Sequence, residues 1–203
     1  MKSIKNSFNN KTILVTGGTG SFGQCFIEFL LKKTKAKKII IFSRDEMKQY
    51  FMSQKLVSNK LRFFIGDVRD QSRLFLAMKG VDLVVHAAAL KIVETAEYNP
   101  MEVVNTNIIG TQNVCLASIE AGVSKVVLIS TDKAVNPVNL YGSTKLSAEK
   151  LMIAANNLSS NITKFSVVRY GNVYGSRGSI IDLYKNLIQK NPKYLPVTDK
   201  LMT

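Results

Sequence analysis

Residues Leu128–Lys145 read LISTDKAVNPVNLYGSTK, and this stretch predicts the end of a strand, a loop and the start of a helix. The apolar residues that end at Ser130 are typical of a buried parallel strand. The Asn-Pro pair that follows indicates a loop. A helix that begins near Tyr141 places Tyr141 and Lys145 on one helix face, because they are four residues apart.

Tyr141 and Lys145 suit the removal of a proton from an alcohol. A lysine beside a tyrosine favours the phenolate and lowers the tyrosine pKa from about 10. Such a tyrosine can take the hydroxyl proton while hydride leaves the same carbon. Thr131, Asp132 and Lys133 supply a hydroxyl, a carboxyl and an amine at the carboxyl end of the strand, where catalytic groups collect in open α/β sheets. The alternative is an ordinary helix pair beside solvated loop charges.

The composition is that of a globular protein with room for one good-sized domain. The chain has 203 residues, of which 46% are hydrophobic and 21% charged. Cys25 and Cys115 lie in apolar helical patterns, so we expect buried thiols in a reducing compartment. These two cysteines and a single histidine, His86, do not form the ligand spacing of a zinc site, and no metal is predicted.

The net charge of +14 raises the possibility of nucleic-acid binding. However, the basic residues are spread out, and the one dense run, Lys32–Lys38, lies at a predicted helix end, where cations suit the helix dipole. Positive charge also suits dinucleotides and sugar nucleotides, so no nucleic-acid partner is expected. The chain shows neither a signal peptide nor an apolar run near the roughly 20 residues of a membrane span. We therefore expect a cytoplasmic protein with no membrane partner.

The segment Thr12–Lys33, TILVTGGTGSFGQCFIEFLLKK, predicts a dinucleotide site. Its strand is followed by the spacing Gly17-x-x-Gly20-x-x-Gly23, and a helix opens near Ser21. Glycines permit a tight turn and the close approach of a phosphate, and a pyrophosphate would lie at the helix N-terminus. Gly23 is expected to let the helix and strand pack closely. The strand–loop–helix context favours this interpretation over a purely structural turn.

The ends of the second and third predicted strands bear on the type of cofactor. Lys38–Ser43 is followed by Arg44, which can stack on adenine and pair with a 2′-phosphate, so NADP is favoured over NAD. The alternative is a surface arginine, and Asp45 leaves the cofactor preference open. After Leu61–Ile65, Asp67 could meet the adenine amino group or cap the next helix.

Candidate residues also follow the fourth strand. Leu83–His86 leads into Ala87–Ala89, which are small enough for a cofactor to lie against the backbone. Lys91 either faces the substrate or is a surface charge. A helical pattern covers Pro100–Ala121, and within it Asn107 either bridges to the catalytic loop or is a polar surface residue.

Strand and helix alternate six times, which predicts an α/β fold, a Rossmann-type doubly wound parallel sheet with helices on both faces. Phe165–Arg169 is the sixth strand, Ser179–Lys190 a final helix, and Tyr194–Thr198 one more strand. Because the candidate site residues follow strands, they converge on one edge of the sheet. This convergence favours the catalytic interpretation of Tyr141.

The motifs TGGTGSFG, SRDE, GDVRD, HAAALK, STDKAVNPVNLYGSTK and RYGNVYGSRGS resemble the extended short-chain dehydrogenase/reductase family. Within it, they are most similar to the inverting UDP-N-acetylglucosamine 4,6-dehydratases that begin pseudaminic acid synthesis for flagellin glycosylation. The most specific mark is the pair Asp132-Lys133. Epimerases of the family tend to have small hydroxyl residues there, and the retaining dehydratases have Asp-Glu.

The resemblance implies a reaction and a role for each catalytic candidate. Tyr141, with Lys145, would deprotonate the sugar C4 hydroxyl as hydride passes to NADP⁺. Lys133 would remove the C5 proton, Asp132 would protonate the departing C6 hydroxyl, and Thr131 would hold a sugar oxygen. Return of hydride to C6 and reprotonation of C5 from the opposite face would give UDP-2-acetamido-2,6-dideoxy-β-L-arabino-hex-4-ulose and regenerate the cofactor.

The resemblance also implies two sets of binding residues. The cofactor-binding candidates lie in the glycine loop and after the strands: Gly17, Thr19, Gly20, Ser21, Phe22, Gly23, Ser43, Arg44, Asp45, Lys48, Asp67, Val68, Ala87, Ala88, Ala89, Tyr141 and Lys145. The substrate-binding candidates are Lys91, Asn172, Val173, Arg177 and Thr198. Among these, Arg177 suits a diphosphate, because a guanidinium fork matches phosphate oxygens.

The sequence departs from the family pattern in three places. Ile92 and Glu94 alter the expected substrate edge, and Asp182 stands where relatives tend to have proline. Family members also continue well beyond the end of this chain. We therefore expect an NADP-binding domain over 1–190 and the start of a truncated substrate-binding region over 191–203. A cofactor-binding fragment without activity and a nucleotide-sugar epimerase are the alternatives, and the full-length protein is expected to form homo-oligomers.

Overall fold

The structure is a computed structural model that describes residues 6–176, 180–190, 194 and 196. Within these residues, six strands form one parallel sheet: β1 (Thr12–Thr16), β2 (Lys38–Ser43), β3 (Leu61–Ile65), β4 (Leu83–His86), β5 (Lys125–Ile129) and β6 (Lys164–Val168). Their order in the sheet is β3-β2-β1-β4-β5-β6. The strand order reverses between β1 and β4, and ligands of such sheets bind beyond the carboxyl ends at that point. The predicted Rossmann-type fold is confirmed.

Helices connect the strands, as the predicted alternation of strand and helix requires. They are α1 (Ser21–Lys33), α2 (Glu46–Lys55), α3 (Gln71–Met78), α4 (Val93–Tyr98), α5 (Pro100–Val104), α6 (Gly110–Glu120), α7 (Leu140–Leu158) and α8 (Ile180–Gln189). The predicted helix over Pro100–Ala121 differs in one respect. A π-helical turn, Asn105–Ile109, separates α5 from α6. Such turns are rare and often occur at functional sites.

The core lies on both faces of the sheet, because alternate residues of β1 point to opposite sides. On one face, Ile13 and Val15 pack with apolar residues of α1 and α2. On the other face, Leu14 packs with apolar residues of α3, α6 and α7, including Met152. All three β1 residues are fully buried. The glycine loop follows β1 and the segment Ala87–Ala89 follows β4, so both begin at neighbouring strands of the buried sheet.

One prediction about the core is wrong. Cys115 is buried in α6 as expected, but Cys25 is exposed. The buried face of α1 is formed by Gly23, Ile27 and Leu30. Cys25 is two residues from both Gly23 and Ile27, and at about 100° per residue it lies on the opposite side of the helix.

The chain divides into two compact units, Met1–Gly171 and Asn172–Thr203. The first contains the whole sheet and α1 to α7. The second contains α8, from which Tyr184 Oη donates a hydrogen bond to the Pro196 carbonyl at 2.8 Å. The predicted strand over Tyr194–Thr198 lies largely outside the described residues, and the predicted domain boundary at residue 190 stays a prediction. Among the described helices, none has both the length and the apolar character needed to cross a bilayer.

Candidate active site

The glycine loop lies directly against the segment that follows β4. Gly17 has a φ of +65°, and a Cβ atom there would lie 2.7 Å from the Ala88 nitrogen. The Gly17 N–H donates to the Phe42 carbonyl of β2 at 2.9 Å, and Gly20 N–H donates to the Gly17 carbonyl at 2.9 Å. Both the conformation and the close approach require glycine at position 17.

The start of α1 suits an anion. Gly20 is the N-cap, and the first turn that begins at Ser21 holds no acidic residue. Partial positive charge at such a helix end favours phosphate. A Cβ at Gly23 would lie 2.5 Å from the Gly18 carbonyl oxygen, so Gly23 allows α1 to lie on the loop. The predicted close contact with the strand region is made instead by Gly18, whose Cβ would lie 2.9 Å from Ile41 Cγ2.

Asp45 after β2 and Asp67 after β3 are each paired with a basic residue. Asp45 is the N-cap of α2, where it accepts a hydrogen bond from Lys48 N at 2.9 Å, and Lys48 Nζ also pairs with it. Arg44 lies 3.5 Å from the Asp67 carboxylate. The end of β2 therefore places the Arg44 guanidinium beside the Asp67 carboxylate, which also pairs with Arg69.

Asp67 does not cap the following helix. Its carboxylate accepts hydrogen bonds from Arg69 Nε at 3.0 Å and Nη2 at 2.8 Å. Partial burial opposes its ionisation, but the hydrogen bonds from Arg69 outweigh this and hold the Asp67 pKa below its ordinary value. The cap of α3 is Asp70, which accepts from Arg73 N at 2.9 Å. The capping alternative for Asp67 is wrong because the turn places Asp70 at the helix start.

His86 holds the segment after β4 through a buried chain of hydrogen bonds. Its Nδ1 is 2.6 Å from Thr16 Oγ1, which also accepts from the N–H groups of Ala87 and Ala88. Its Nε2 is 3.1 Å from Thr111 Oγ1, whose own hydrogen goes to the Asn107 carbonyl at 2.6 Å. Thr111 must therefore accept Nε2–H, which makes His86 the neutral tautomer with the proton on Nε2.

Asn107 is a buried bridge within the π-helical turn. Its Oδ1 accepts from Leu90 N at 2.9 Å, and its Nδ2 donates to the Leu90 carbonyl at 3.0 Å and to Thr144 Oγ1 at 3.1 Å. Asn107 is only 2% exposed, so it is not a polar surface residue. It connects the segment before Lys91 to α7, one residue before Lys145.

The fully buried state of His86 makes stability depend on pH. Burial, assisted by the charge of Lys145, lowers the His86 pKa from 6.5 to about 3. Between these two values the unfolded chain binds the extra proton, so the stability contributed by neutral His86 is complete above pH 6.5 and is lost as pH falls towards 3.

We expect His86→Gln to weaken this pH dependence, because the amide can keep the donor to Thr111 and does not titrate. The difference in unfolding free energy between pH 7 and pH 5 should be about 2 kcal/mol smaller in the variant than in the wild type. Urea titrations at the two pH values measure it. Equal losses of stability in both proteins on acidification would contradict the burial of His86 in its neutral form.

The predicted catalytic residues meet at the carboxyl end of β5. Thr131 Oγ1 donates to Asp132 Oδ1 at 2.9 Å, and Lys133 Nζ lies 3.3 Å from the same oxygen. Thr131 is also near enough to Tyr141 to influence the pKa of its phenol. The hydrogen bond from Thr131 and the neighbouring Lys133 lower the pKa of Asp132 from its ordinary value. Thr131 is buried, whereas the Asp132 side chain is 53% exposed and open to a ligand.

Lys145 does not lower the pKa of Tyr141, so that prediction is wrong. Burial raises the Tyr141 pKa, Tyr170 and Asp132 add to this effect, and the neighbouring Thr131 opposes it. Lys145 Nζ instead donates to the Ile129 carbonyl at 2.8 Å. Lys145 is only 3% exposed, and burial lowers its pKa to about 8. Burial therefore outweighs the attraction that the sequence spacing suggested.

The glycine loop and the catalytic residues share an aromatic neighbour. The Phe22 ring at the start of α1 stacks on the Tyr170 ring, with centroids 6.4 Å apart. Tyr170 follows β6, and its carbonyl accepts from Asp132 N at 3.0 Å. The cofactor candidates after β1 and the catalytic candidates after β5 thus lie on the same edge of the sheet, as predicted.

Three residues that support this edge were missed by the sequence interpretation. Glu149 is buried in α7 and pairs with Arg169 after β6. Gly142 lies against the turn of Asp132–Ala134, because a Cβ there would overlap the Lys133 carbonyl oxygen. The four-residue spacing of Tyr141, Lys145 and Glu149 was a signal for Glu149, but no local pattern points to Arg169.

The substrate candidates fall in different parts of the chain. Lys91 is an exposed residue of the first compact unit, immediately after Leu90. Asn172 and Val173 belong to the second unit. Arg177 and Thr198 lie outside the described residues. The role of each remains a prediction.

Residues 13–203 match the sequence profile of the family described as polysaccharide biosynthesis protein. The chain belongs to this family. Its resemblance to extended short-chain dehydrogenases/reductases, inferred from the motifs, is confirmed.

Relatives with curated names carry two different activities. A Campylobacter jejuni protein named UDP-N-acetylglucosamine 4,6-dehydratase (inverting) is 59% identical over 197 residues, which are 97% of this chain and 59% of that protein. A Rickettsia akari protein named UDP-glucose 4-epimerase is 50% identical over 200 residues, 97% of this chain and 58% of that protein. The chain therefore spans less than two thirds of the length of these family members.

Solved structures of the family fold superpose closely. The structure of Pen from Bacillus thuringiensis has a TM-score of 0.87 and 44% identity, and the match covers 91% of this chain and 59% of that chain. DesIV, a dTDP-glucose 4,6-dehydratase from Streptomyces venezuelae solved with NAD and TYD bound, has a TM-score of 0.77 and 26% identity over 88% of this chain and 62% of that one.

Proposed function

We propose that this chain belongs to a UDP-N-acetylglucosamine 4,6-dehydratase with C5 inversion, a lyase that recycles its own NADP. The observation that carries the proposal is the placement of Asp132 and Lys133 beside Thr131 and Tyr141 at the carboxyl end of β5. This arrangement offers an acid, an amine and a phenol within one small region. The identity of 59% to the Campylobacter jejuni dehydratase supports the choice of sugar nucleotide.

The residues present fit a nicotinamide dinucleotide. The glycine loop and the N-terminus of α1 would hold the pyrophosphate, since Gly17 allows the loop to turn tightly against Ala88 and the first turn of α1 lacks an acid. Arg44 supports NADP over NAD, because it is a half-exposed guanidinium at the end of β2 and Asp45 is engaged as a helix cap. When bound, the cofactor supplies a hydride acceptor and donor.

The acid–base steps would belong to this chain's own residues. Tyr141, as the phenolate, would take the proton of the sugar C4 hydroxyl. Because burial raises the Tyr141 pKa, this step requires the phenolate to be stabilised when the site is filled. Lys145, with two further N–H donors beyond its bond to Ile129, would help to stabilise it and to orient the bound groups. Lys133, as the neutral amine, would remove the proton at C5, which the ketone at C4 makes acidic, and would become the ammonium. Asp132 would protonate the leaving oxygen at C6. Because its pKa is depressed in the open site, this step requires bound substrate to exclude water from the carboxyl.

An epimerase is the second candidate, and the 50% identity to the Rickettsia akari protein favours it. The two activities differ at C6, since an epimerase leaves the C6 hydroxyl in place and inverts C4. A fragment that binds the cofactor without turnover is a third outcome. The oligomeric state and a location in the cytoplasm stay predictions.

Proton NMR of the chain with UDP-N-acetylglucosamine and NADP⁺ in D₂O tests the proposal. We expect a new C6 methyl signal with deuterium entering at C5. A product that keeps its C6 hydroxyl and changes configuration at C4 would establish the epimerase instead. If no product forms but the cofactor lines broaden, the chain is a cofactor-binding fragment. Unchanged cofactor lines would overturn the assignment of the glycine loop.

A further inference from the structure

Glu149 lies one helical turn beyond Lys145 on the same face of α7, because the two residues are four positions apart. It is only 6% exposed. A buried carboxylate is costly unless charged and hydrogen-bonding partners compensate for the lost water. The structure supplies those partners from two other elements.

The first partner connects Glu149 to the catalytic segment after β5. Ser130 Oγ donates to Glu149 Oε1 at 2.5 Å, and Ser130 itself is buried. Ser130 directly precedes Thr131. Any shift of the Glu149 carboxylate would therefore be passed to the segment that carries Thr131 and Asp132.

The second partner connects Glu149 to the segment after β6. Arg169 Nε donates to Oε1 at 2.9 Å and to Oε2 at 3.1 Å, and Nη2 donates to Oε2 at 2.6 Å. This fork fixes both carboxylate oxygens, as bidentate pairs do. The backbone joins the same two segments, since Ser130 N donates to the Val168 carbonyl at 2.7 Å.

We propose that Glu149, held by Arg169, is a positioning residue that keeps Lys145 charged and fixes the end of β5 beneath the catalytic side chains. This inference rests on the proposed function, in which Lys145 acts beside Tyr141. Glu149 touches neither substrate nor cofactor in this assignment. Its effect is carried through Lys145 and Ser130.

The charges around Lys145 agree with this role. Burial is the larger influence and lowers the Lys145 pKa to about 8, and the charge of Glu149 partly opposes it. Burial also acts against ionisation of Glu149, but hydrogen bonds from Arg169 and Ser130 and the charge of Lys145 keep the Glu149 pKa below its ordinary value. On the β4 side, the titratable neighbour is His86, which is neutral at physiological pH. The Tyr141 hydroxyl also stays neutral.

Glu149→Gln tests the proposal, because it keeps the size of the side chain and removes the charge. The readout is the titration of Lys145 in the ligand-free chain, followed by NMR of ¹³C-labelled lysine and assigned by the loss of its signal in Lys145→Arg. We expect the Lys145 pKa to fall by about one unit. In the active protein, the loss of turnover at high pH should move to lower pH by the same amount.

Glu120→Gln is the matched control, since it makes the same chemical change at an exposed position at the end of α6. It should leave the Lys145 titration unchanged. Arg169→Gln is a second variant, which keeps the charge of Glu149. The Arg169 side chain is 45% exposed, so we expect this variant to fold. It therefore tests the proposal if Glu149→Gln does not fold. The Lys145 pKa should not fall in that variant.

A folded Glu149→Gln protein with the wild-type Lys145 titration would overturn the proposal, and so would a lower Lys145 pKa in Arg169→Gln. Neither measurement requires substrate. Failure of the dehydratase assay would therefore leave the titration result intact, and an unshifted titration would leave the dehydratase proposal intact.

Discussion

Gly142→Val should lower the free energy of unfolding by about 3 kcal/mol, because the new side chain has no space between α7 and the turn Asp132–Ala134. A Cβ at position 142 would overlap the Lys133 carbonyl oxygen and lie 2.9 Å from Pro137 Cβ. The carbonyl cannot move away freely, since the turn is closed by hydrogen bonds from Ala134 N to Thr131 O and from Val135 N to Asp132 O. Urea titration of both proteins measures the loss.

The matched control is Gly171→Val. The nearest atom to a Cβ at Gly171 is Asp132 Oδ2 at 3.8 Å, which is an ordinary contact distance. Its effect should stay within about 0.5 kcal/mol, as for other exposed substitutions. Equal stability of Gly142→Val and the wild type would show that α7 does not lie this close to the turn. Because Tyr141 precedes Gly142, the variant should also displace Tyr141 from its position near Thr131.

Lys133→Ala should reduce formation of the C6 methyl product by about 10²- to 10⁴-fold, the range expected when a positioned acid–base group is lost. The reason is that Lys133 is the amine beside Asp132 at the end of β5, and the proposed elimination needs a base at C5. Cofactor affinity should be unchanged, because the glycine loop and α1 are untouched. NMR in D₂O gives the rate, and calorimetry with NADP⁺ gives the affinity.

Lys150→Ala removes the same charge from an exposed position of α7 and serves as the control. It should leave both the rate and the cofactor affinity at wild-type values. If Lys133→Ala forms product at the normal rate with deuterium at C5, another group is the base. If Lys133→Ala loses cofactor affinity as well, the residue acts in binding and the proposed division of roles is wrong.

The fold was predictable because its signals are local. Short apolar runs marked β2 and β4 with the bounds that the structure has, since strands buried on both faces must be apolar along their length. The predicted bounds of the edge strand β3 also agree with the structure. The spacing of Gly17, Gly20 and Gly23 marked the turn into α1, because Gly17 needs a positive φ and both Gly17 and Gly23 lie too close to other backbone atoms for a Cβ. The alternation of elements then left one common edge for the site.

The state of the site depended on contacts between residues far apart in the sequence. The spacing of Lys145 to Tyr141 suggested that these two side chains interact, but Lys145 Nζ donates to the Ile129 carbonyl of β5. The Tyr141 pKa is raised by burial, whereas the sequence predicted that it is lowered. From the sequence alone, Asp67 could either contact adenine or cap the next helix. In the structure it pairs with Arg69 and Arg44. Burial and through-space charge decide such pKa values, and neither is visible in a local pattern.

The sequence by itself determined the order of strands and helices, the glycine loop and the position of Thr131, Asp132 and Lys133 after β5, because these follow from apolar periodicity and from residue types at fixed spacing. Only the tertiary structure decided that Glu149 contacts Arg169 and Ser130, that Gly142 lies against the turn Asp132–Ala134, and that Cys25 faces outward. These outcomes depend on how α7, β5 and β6 pack and on which side of α1 faces the sheet, and packing distances are set by the whole assembled core.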